Sequence, residues 1–281
     1  MFEKEIINWF KKNKRDLPWR NTDAWGVLVS EFMLQQTPVN RVQPVYEAWI
    51  KKWPTAAALA QASTADVIKA WGRLGYPRRA LRLHECAKVI TSHYHGQIPQ
   101  SEVQLRALPG IGEYTAAAIM AFAFSQRSLV LDINIRRFFA RCFDGVESPK
   151  ASASQSEKSQ YDALIPKKYP HVWAAATMEL GAVICTSQSP KCGICPVANS
   201  CKWRSLDYPK SDIVKRRQSW HGTDRQCRGT IVQALRENEI LTKNQISQLW
   251  DVPSQLEKAL LTLLDDGLIE LRGKNKFSLP R

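Results

Sequence analysis

The sequence predicts a mainly α-helical protein, on three observations. Nearly every periodic segment repeats its apolar residues three or four apart, as a helix that buries one face requires. Turn signals such as LPW, LGYP and LPGIG separate these segments, and the first 200 or so residues show none of the apolar alternation of a strand. The elements follow in order as helices at 4–13, 26–36, 41–52, 64–73, 78–94, 101–107, 113–124, 134–143 and 171–184. The Ser- and Lys-rich stretch SPKASASQSEKSQ, 148–160, reads as an exposed loop between two of them. After a polar stretch at 208–226 that reads as a linker, short helices at 227–237, 243–250 and 254–266 precede LIELRGKNKFSL, two strands around a Gly-Lys-Asn turn. The division is therefore a helical region at 1–207 and a small winged-helix-like domain at 227–281.

Charge narrows the partner class. The chain is 44% hydrophobic and 23% charged, yet 40 Lys+Arg against 26 Asp+Glu leave a formal charge of +14, a field suited to a polyanion such as nucleic acid. Residues 211–281 hold 12 Lys+Arg and 9 Asp+Glu, so most of the excess lies in residues 1–210. The N-terminus MFEKEIINWFKKNKRDLPWR mixes charges with its apolar residues, unlike a signal peptide, and no later apolar run is long enough for a bilayer. An intracellular, cytoplasmic protein without membrane contact is expected. In that reducing setting seven cysteines point to metal binding and away from disulfides.

Four features carry chemistry. In ICTSQSPKCGICPVANSCKW, Cys185, Cys192, Cys195 and Cys201 have the spacing C-x6-C-x2-C-x5-C, compatible with zinc or an iron-sulfur cubane. Cys86, Cys142 and Cys227 are scattered and read as buried small hydrophobes. In LRALPGIGEYTAAAIMAFAF, Leu108, Gly110, Ile111 and Gly112 form the turn of a helix-hairpin-helix. Its glycines let the backbone approach a DNA phosphate, and the next helix offers it free amides. Asp132 stands at the start of the helix in LVLDINIRRFFAR, where Asp is a common N-cap, but it follows closely on the phosphate-binding hairpin. Finally, Glu31 is a lone carboxylate in the apolar stretch VSEFMLQQTPVNRV, with Val27, Leu28, Leu34 and Gln35 one helical turn away.

Together these motifs resemble the endonuclease III superfamily of DNA glycosylases, and SEFMLQQT with Glu31 narrows the resemblance to the MutY-type adenine glycosylases. It runs in unbroken order through about residues 5–205, and the tail from GTDRQ onward is similar to actinobacterial members. The resemblance implies a two-lobed helical fold with its active site in the cleft, a 4Fe-4S cluster on the four cysteines, and a monofunctional base-excision enzyme. Its partner would be double-stranded DNA carrying adenine opposite guanine or 8-oxoguanine, bound by a monomer. Residue by residue, Glu31 matches the general acid and Asp132 the carboxylate that stabilises the sugar cation. Asn134 matches the asparagine two residues beyond that Asp, and Arg20 an arginine near the acid. Tyr114 stands where bifunctional relatives carry a catalytic lysine. Leu34, Gln36 and Tyr76 match residues inserted into the duplex, and Gln35 is placed with them.

Two carboxylates in opposite protonation states suit glycosidic cleavage, and here the apolar flanks of Glu31 favour its acid form while the helix start favours ionised Asp132. Three positions depart from the family pattern: Pro77 replaces the second Tyr of the usual GYY, Ile133 the Gly of LDGN, and Pro38 follows QQT. Pro38 either ends the Glu31 helix or marks a subgroup. The tail resembles a winged helix where many members carry a Nudix-like domain that reads oxidised guanine. Competing readings are a thymine, uracil or damaged-pyrimidine glycosylase of the same superfamily, and a non-enzymatic iron-sulfur DNA-binding regulator.

Overall fold

A computed structural model describes residues 2–211 and 220–281. Eight residues of the expected linker, 212–219, lie outside the described residues. The chain is almost entirely helical and divides into two compact units, one of Met1–Val27, Gln100–Arg106 and Ile111–Lys215, the other of Leu28–Pro99, Ala107–Gly110 and Arg216–Arg281.

The first unit is built on the helices Phe2–Asn13, Glu113–Phe124, Ile133–Phe139 and Pro170–Val183. Glu113–Phe124 buries seven consecutive residues, Thr115 to Ala121, which is why its sequence shows no polar face. Its alanines let the neighbouring helices bring Phe10, Ile135, Phe138, Phe139, Trp173 and Leu180 into one core. Helix Ile133–Phe139 runs on into a π-helical turn at Ala140–Asp144. The stretch 148–160 is not wholly a loop: Ser154 Oγ accepts from the Glu157 amide and starts a helix, Gln155–Asp162. Its polar composition hid the helix, which buries only Tyr161.

The second unit packs Val39–Lys52, Ala56–Ala60, Thr64–Trp71 and Arg78–His93, with Trp49 in edge contact with Trp53 and Trp71. Ala56–Ala60 is too short for its period to show in the sequence. Pro38 does not end the Glu31 helix. The Glu31 helix, Ala24–Leu34, has already ended, and Pro38 is the N-cap of Val39–Lys52.

The tail in the same unit has the winged-helix order. Helices Asp224–Glu237, Lys243–Ser247 and Pro253–Asp265 pack with a three-stranded antiparallel sheet in which Lys276–Ser278 lies between Leu241–Thr242 and Glu270–Leu271. Ile231, Leu235, Ile246, Leu260, Leu263, Ile269 and Phe277 form its core, and Ile68 from Thr64–Trp71 belongs to that core too. Among the described residues no helix is long and apolar enough to cross a membrane.

Candidate active site

In the first unit Asp132 is the N-cap of Ile133–Phe139. Its Oδ1 accepts the Ile135 N–H at 2.6 Å and its Oδ2 accepts Asn134 Nδ2 at 2.6 Å. Asn134 Oδ1 in turn accepts from Arg137 at 2.9 Å, and Arg137 also donates to the carbonyls of Gly181 and Cys185. The capping role and the candidate catalytic role therefore coincide in one carboxylate. Burial nonetheless pushes the Asp132 carboxyl up, against the Ile135 and Asn134 hydrogen bonds and the Arg137 charge. The helix start favours the ionised form, as expected, and burial works against it.

Arg20 is held by a carboxylate that no motif singles out. Glu179, 1% exposed, accepts from the Arg15 backbone N–H, Arg15 Nε and NH2, and Arg20 NH2, at 2.8–2.9 Å. Burial alone would raise Glu179, but the Arg15 hydrogen bonds and the two guanidinium charges bring it below its ordinary value. Arg20 also donates to the Arg15 carbonyl and stacks over Phe10 at 5.2 Å. Tyr114 is partly buried against the same core.

Gly181 is a second residue the sequence did not flag. A Cβ there would collide with the Asn134 backbone, so only glycine lets the Pro170–Val183 helix lie against the turn that carries Asp132 and Asn134.

In the second unit Glu31 is 6% exposed on a helix whose Leu28, Phe32 and Met33 are all buried. The candidate inserted residues follow directly: Leu34 half-buried, Gln35 half-buried, and Gln36 exposed in a left-handed conformation at φ 54°. Arg79, also unflagged, organises this helix end. Its guanidinium donates to the carbonyls of Phe32, Met33, Gln35 and Gly75 and to Thr37 Oγ1, satisfying acceptors that a helix C-terminus leaves open. Burial brings Arg79 down to about 10. The same guanidinium lies 5.5 Å from the ring of Tyr76, which is 44% exposed with φ 48°.

The hairpin turn splits the roles assigned to its residues. Leu108 and Ile111 are buried anchors, whereas Gly110 and Gly112 are exposed. Gly110 alone is left-handed, at φ 81°, and a Cβ there would meet the Phe32 ring at 2.7 Å. Gly112 is extended, caps Glu113–Phe124 and faces open space, as an amide offered to a phosphate must.

Cys185, Cys192, Cys195 and Cys201 line one cavity with Phe138, Arg141 and Trp203. Arg141 donates to Cys185 Sγ at 3.5 Å and to the Thr186 carbonyl, and lies 4.5 Å from the Trp203 ring, a cationic lining that suits a thiolate-bound cluster. Cys86, Cys142 and Cys227 are buried, as the sequence predicts.

Residues 29–160 match the HhH-GPD superfamily of base excision DNA repair proteins, and 185–201 match the iron-sulfur binding domain of endonuclease III. The chain is 46% identical to the adenine DNA glycosylase of Mycolicibacterium smegmatis, over 98% of this chain and 94% of that one. It belongs to the adenine DNA glycosylase family. A relative of the same name from Mycobacterium tuberculosis is 43% identical over 98% of this chain and 92% of its own. The helical fold is shared with a thermostable thymine-DNA glycosylase, at a TM-score of 0.68 and 26% identity, over 73% of this chain and 95% of that one. For an adenine DNA glycosylase of this type the cavity of four cysteines is the site of a 4Fe-4S cluster.

Proposed function

We propose that the protein is a monofunctional glycosylase of base excision repair, removing adenine mispaired with guanine or 8-oxoguanine in double-stranded DNA. It acts as a monomer in the cytoplasm, at the chromosome. The observation that carries the reading is Glu31, a carboxyl 6% exposed on an apolar helix of an adenine DNA glycosylase.

Paired adenine does not present its glycosidic bond, so it must be flipped out at a cost of a few kcal/mol, and mispairing lowers that cost. Leu34, Gln35, Gln36 and Tyr76 fill the vacated stack, and Gly110, Gly112 and the amides after them hold a phosphate. Glu31 then gives its proton to the adenine, making a better leaving group, while Asp132 faces the positive charge that develops on the sugar. Only its ionised form can do this. The Ile135 amide and Asn134 are already aimed at that form, so the carboxylate needs no new partners as charge appears.

Arg20, fixed by Glu179, is a permanent cation of the first unit, in the role that the family's active-site arginine fills. Tyr114, where related lyases carry lysine, offers no amine to form a Schiff base, so the abasic strand is released uncut. Water, or a transient adduct through Asp132, completes the replacement. Cys185, Cys192, Cys195 and Cys201 would hold the cluster, whose bonding to them would add to the stability of the 185–201 segment.

A panel of duplexes with one mismatch each, incubated with holoenzyme and then alkali, tests the proposal. Strand breaks at adenine opposite guanine or 8-oxoguanine, and none without alkali, are expected. Breaks only at thymine, uracil or damaged pyrimidine, or specific binding to intact duplex without any break, would overturn it.

A further inference from the structure

The loop that carries Tyr76 is built on left-handed backbone. Gly72 and Gly75 take φ 54° and 83°, and Tyr76 itself occupies the left-handed region that a tyrosine rarely adopts. A wedge on such a loop needs external supports. Two come from its own helices: Trp71 Nε1 donates to the Gly75 carbonyl at 3.0 Å, and Arg79 lies under the ring.

The others come from the tail. Arg225, in the first turn of Asp224–Glu237, donates to the Tyr76 hydroxyl at 3.1 Å, and Asp266, just after Pro253–Asp265, pairs with Arg78 at 3.3 Å, two residues beyond the wedge. These contacts are anchored on the tail side. Thr223 caps the Arg225 helix, Asp224 is tied to Lys258 and Gln255, and Arg225 stacks over Trp220 at 5.1 Å. Ile68 lies in the tail's own core and its carbonyl accepts from Arg236 at 3.0 Å, so the Arg225 helix is fixed to the helix that leads into the wedge loop.

We propose that Arg225 is a positioning residue for the Tyr76 wedge, through which the C-terminal winged helix sets how readily the enzyme opens a mismatched duplex. Its role is to hold the phenol end of a tyrosine whose backbone is strained. The inference rests on the reading of Tyr76 as an inserted residue.

The test uses full-length holoenzyme and a duplex with adenine opposite guanine and a 2-aminopurine beside the mismatch, whose fluorescence rises when its neighbour unstacks. Tyr76→Ala abolishes the rise. Arg225→Ala weakens the opening equilibrium about three- to tenfold, the worth of one net hydrogen bond, with no change in melting temperature. Tyr76→Phe has the same effect, and Arg225→Ala adds nothing to it. Single-turnover adenine release falls in step. If Arg225→Ala leaves the fluorescence unchanged, or acts as strongly on the Tyr76→Phe background, the positioning role is wrong while the wedge reading stands. An unchanged signal in Tyr76→Ala removes the wedge reading and this inference with it.

Discussion

Glu179→Gln is the most informative single change in the first unit. The substitution keeps the shape of the side chain and removes its charge. In the wild type both carboxylate oxygens accept two hydrogen bonds: Oε1 takes the Arg15 backbone N–H and Nε, and Oε2 takes NH2 of Arg15 and of Arg20. An amide replaces one oxygen by a donor, so whichever way it turns, two guanidinium or amide donors meet an NH2 group. Removing one partner of a buried ion pair typically costs about 3–5 kcal/mol, and the partial exposure of Arg15 places this case at the lower end, about 3 kcal/mol. At about 2–4 °C per kcal/mol for a protein of this size, the melting temperature falls by about 6–12 °C.

The pH dependence separates this mechanism from a mere packing defect. The folded-state value of Glu179 is depressed, so its contribution is fully present above the unfolded carboxyl value of about 4.3 and is lost as pH falls through the folded value. Urea unfolding of both proteins, followed by circular dichroism between pH 7 and the acid range, gives the gap between them directly, and the cluster contribution cancels in the difference. The gap holds at about 3 kcal/mol down to pH 5 and closes on further acidification. A variant as stable as the wild type at pH 7, or a gap that does not change with pH, would refute the ion-pair account. Arg20 also loses its anchor, so single-turnover adenine release falls well before the protein unfolds.

Four further outcomes are expected. Glu31→Gln and Asp132→Asn each abolish adenine release in single-turnover assays yet still bind a mismatched duplex in gel shifts; full activity in a folded Glu31→Gln protein rules out the acid assignment. Because burial raises Asp132 and only its ionised form serves the reaction, the rate of release falls on acidification with a midpoint above the ordinary carboxylate value of about 3.9, and Asp132's own stability term runs opposite to Glu179's, weakening as pH rises through its folded value. Gly181→Ala forces the Asn134 backbone away, for a stability loss of about 1–3 kcal/mol and a fall of about 100-fold in release, with mismatch affinity retained. Purified protein is brown, with visible absorption that bleaches on oxidation. Cys201→Ser lowers both iron content and melting temperature, and a colourless, zinc-loaded protein of full activity would contradict the cluster.

Much of the site was legible because its chemistry is written in short, contiguous motifs. C-x6-C-x2-C-x5-C confines four thiols to one loop, LPGIG needs a left-handed glycine at Gly110, and an aspartate before an apolar helix caps it, as Asp132 does. Helix positions were legible for the same reason, since the 3.6 period is a local property. It failed where a helix had little apolar surface to bury, at Ala56–Ala60 and Gln155–Asp162.

The sequence by itself determined the helical class and the cysteine set, and it singled out the hairpin and the two carboxylates as candidates. Only the tertiary structure decided what holds them. Glu179 meets Arg15 and Arg20 across more than 150 residues, Gly181 is required by the backbone of Asn134, Arg79 closes the end of the Glu31 helix, and Arg225 reaches Tyr76 from the tail. It also decided that burial outweighs the helix start at Asp132. The reason is physical: a motif fixes which groups are neighbours along the chain, but desolvation and ion pairing depend on neighbours in space, which no local spacing encodes.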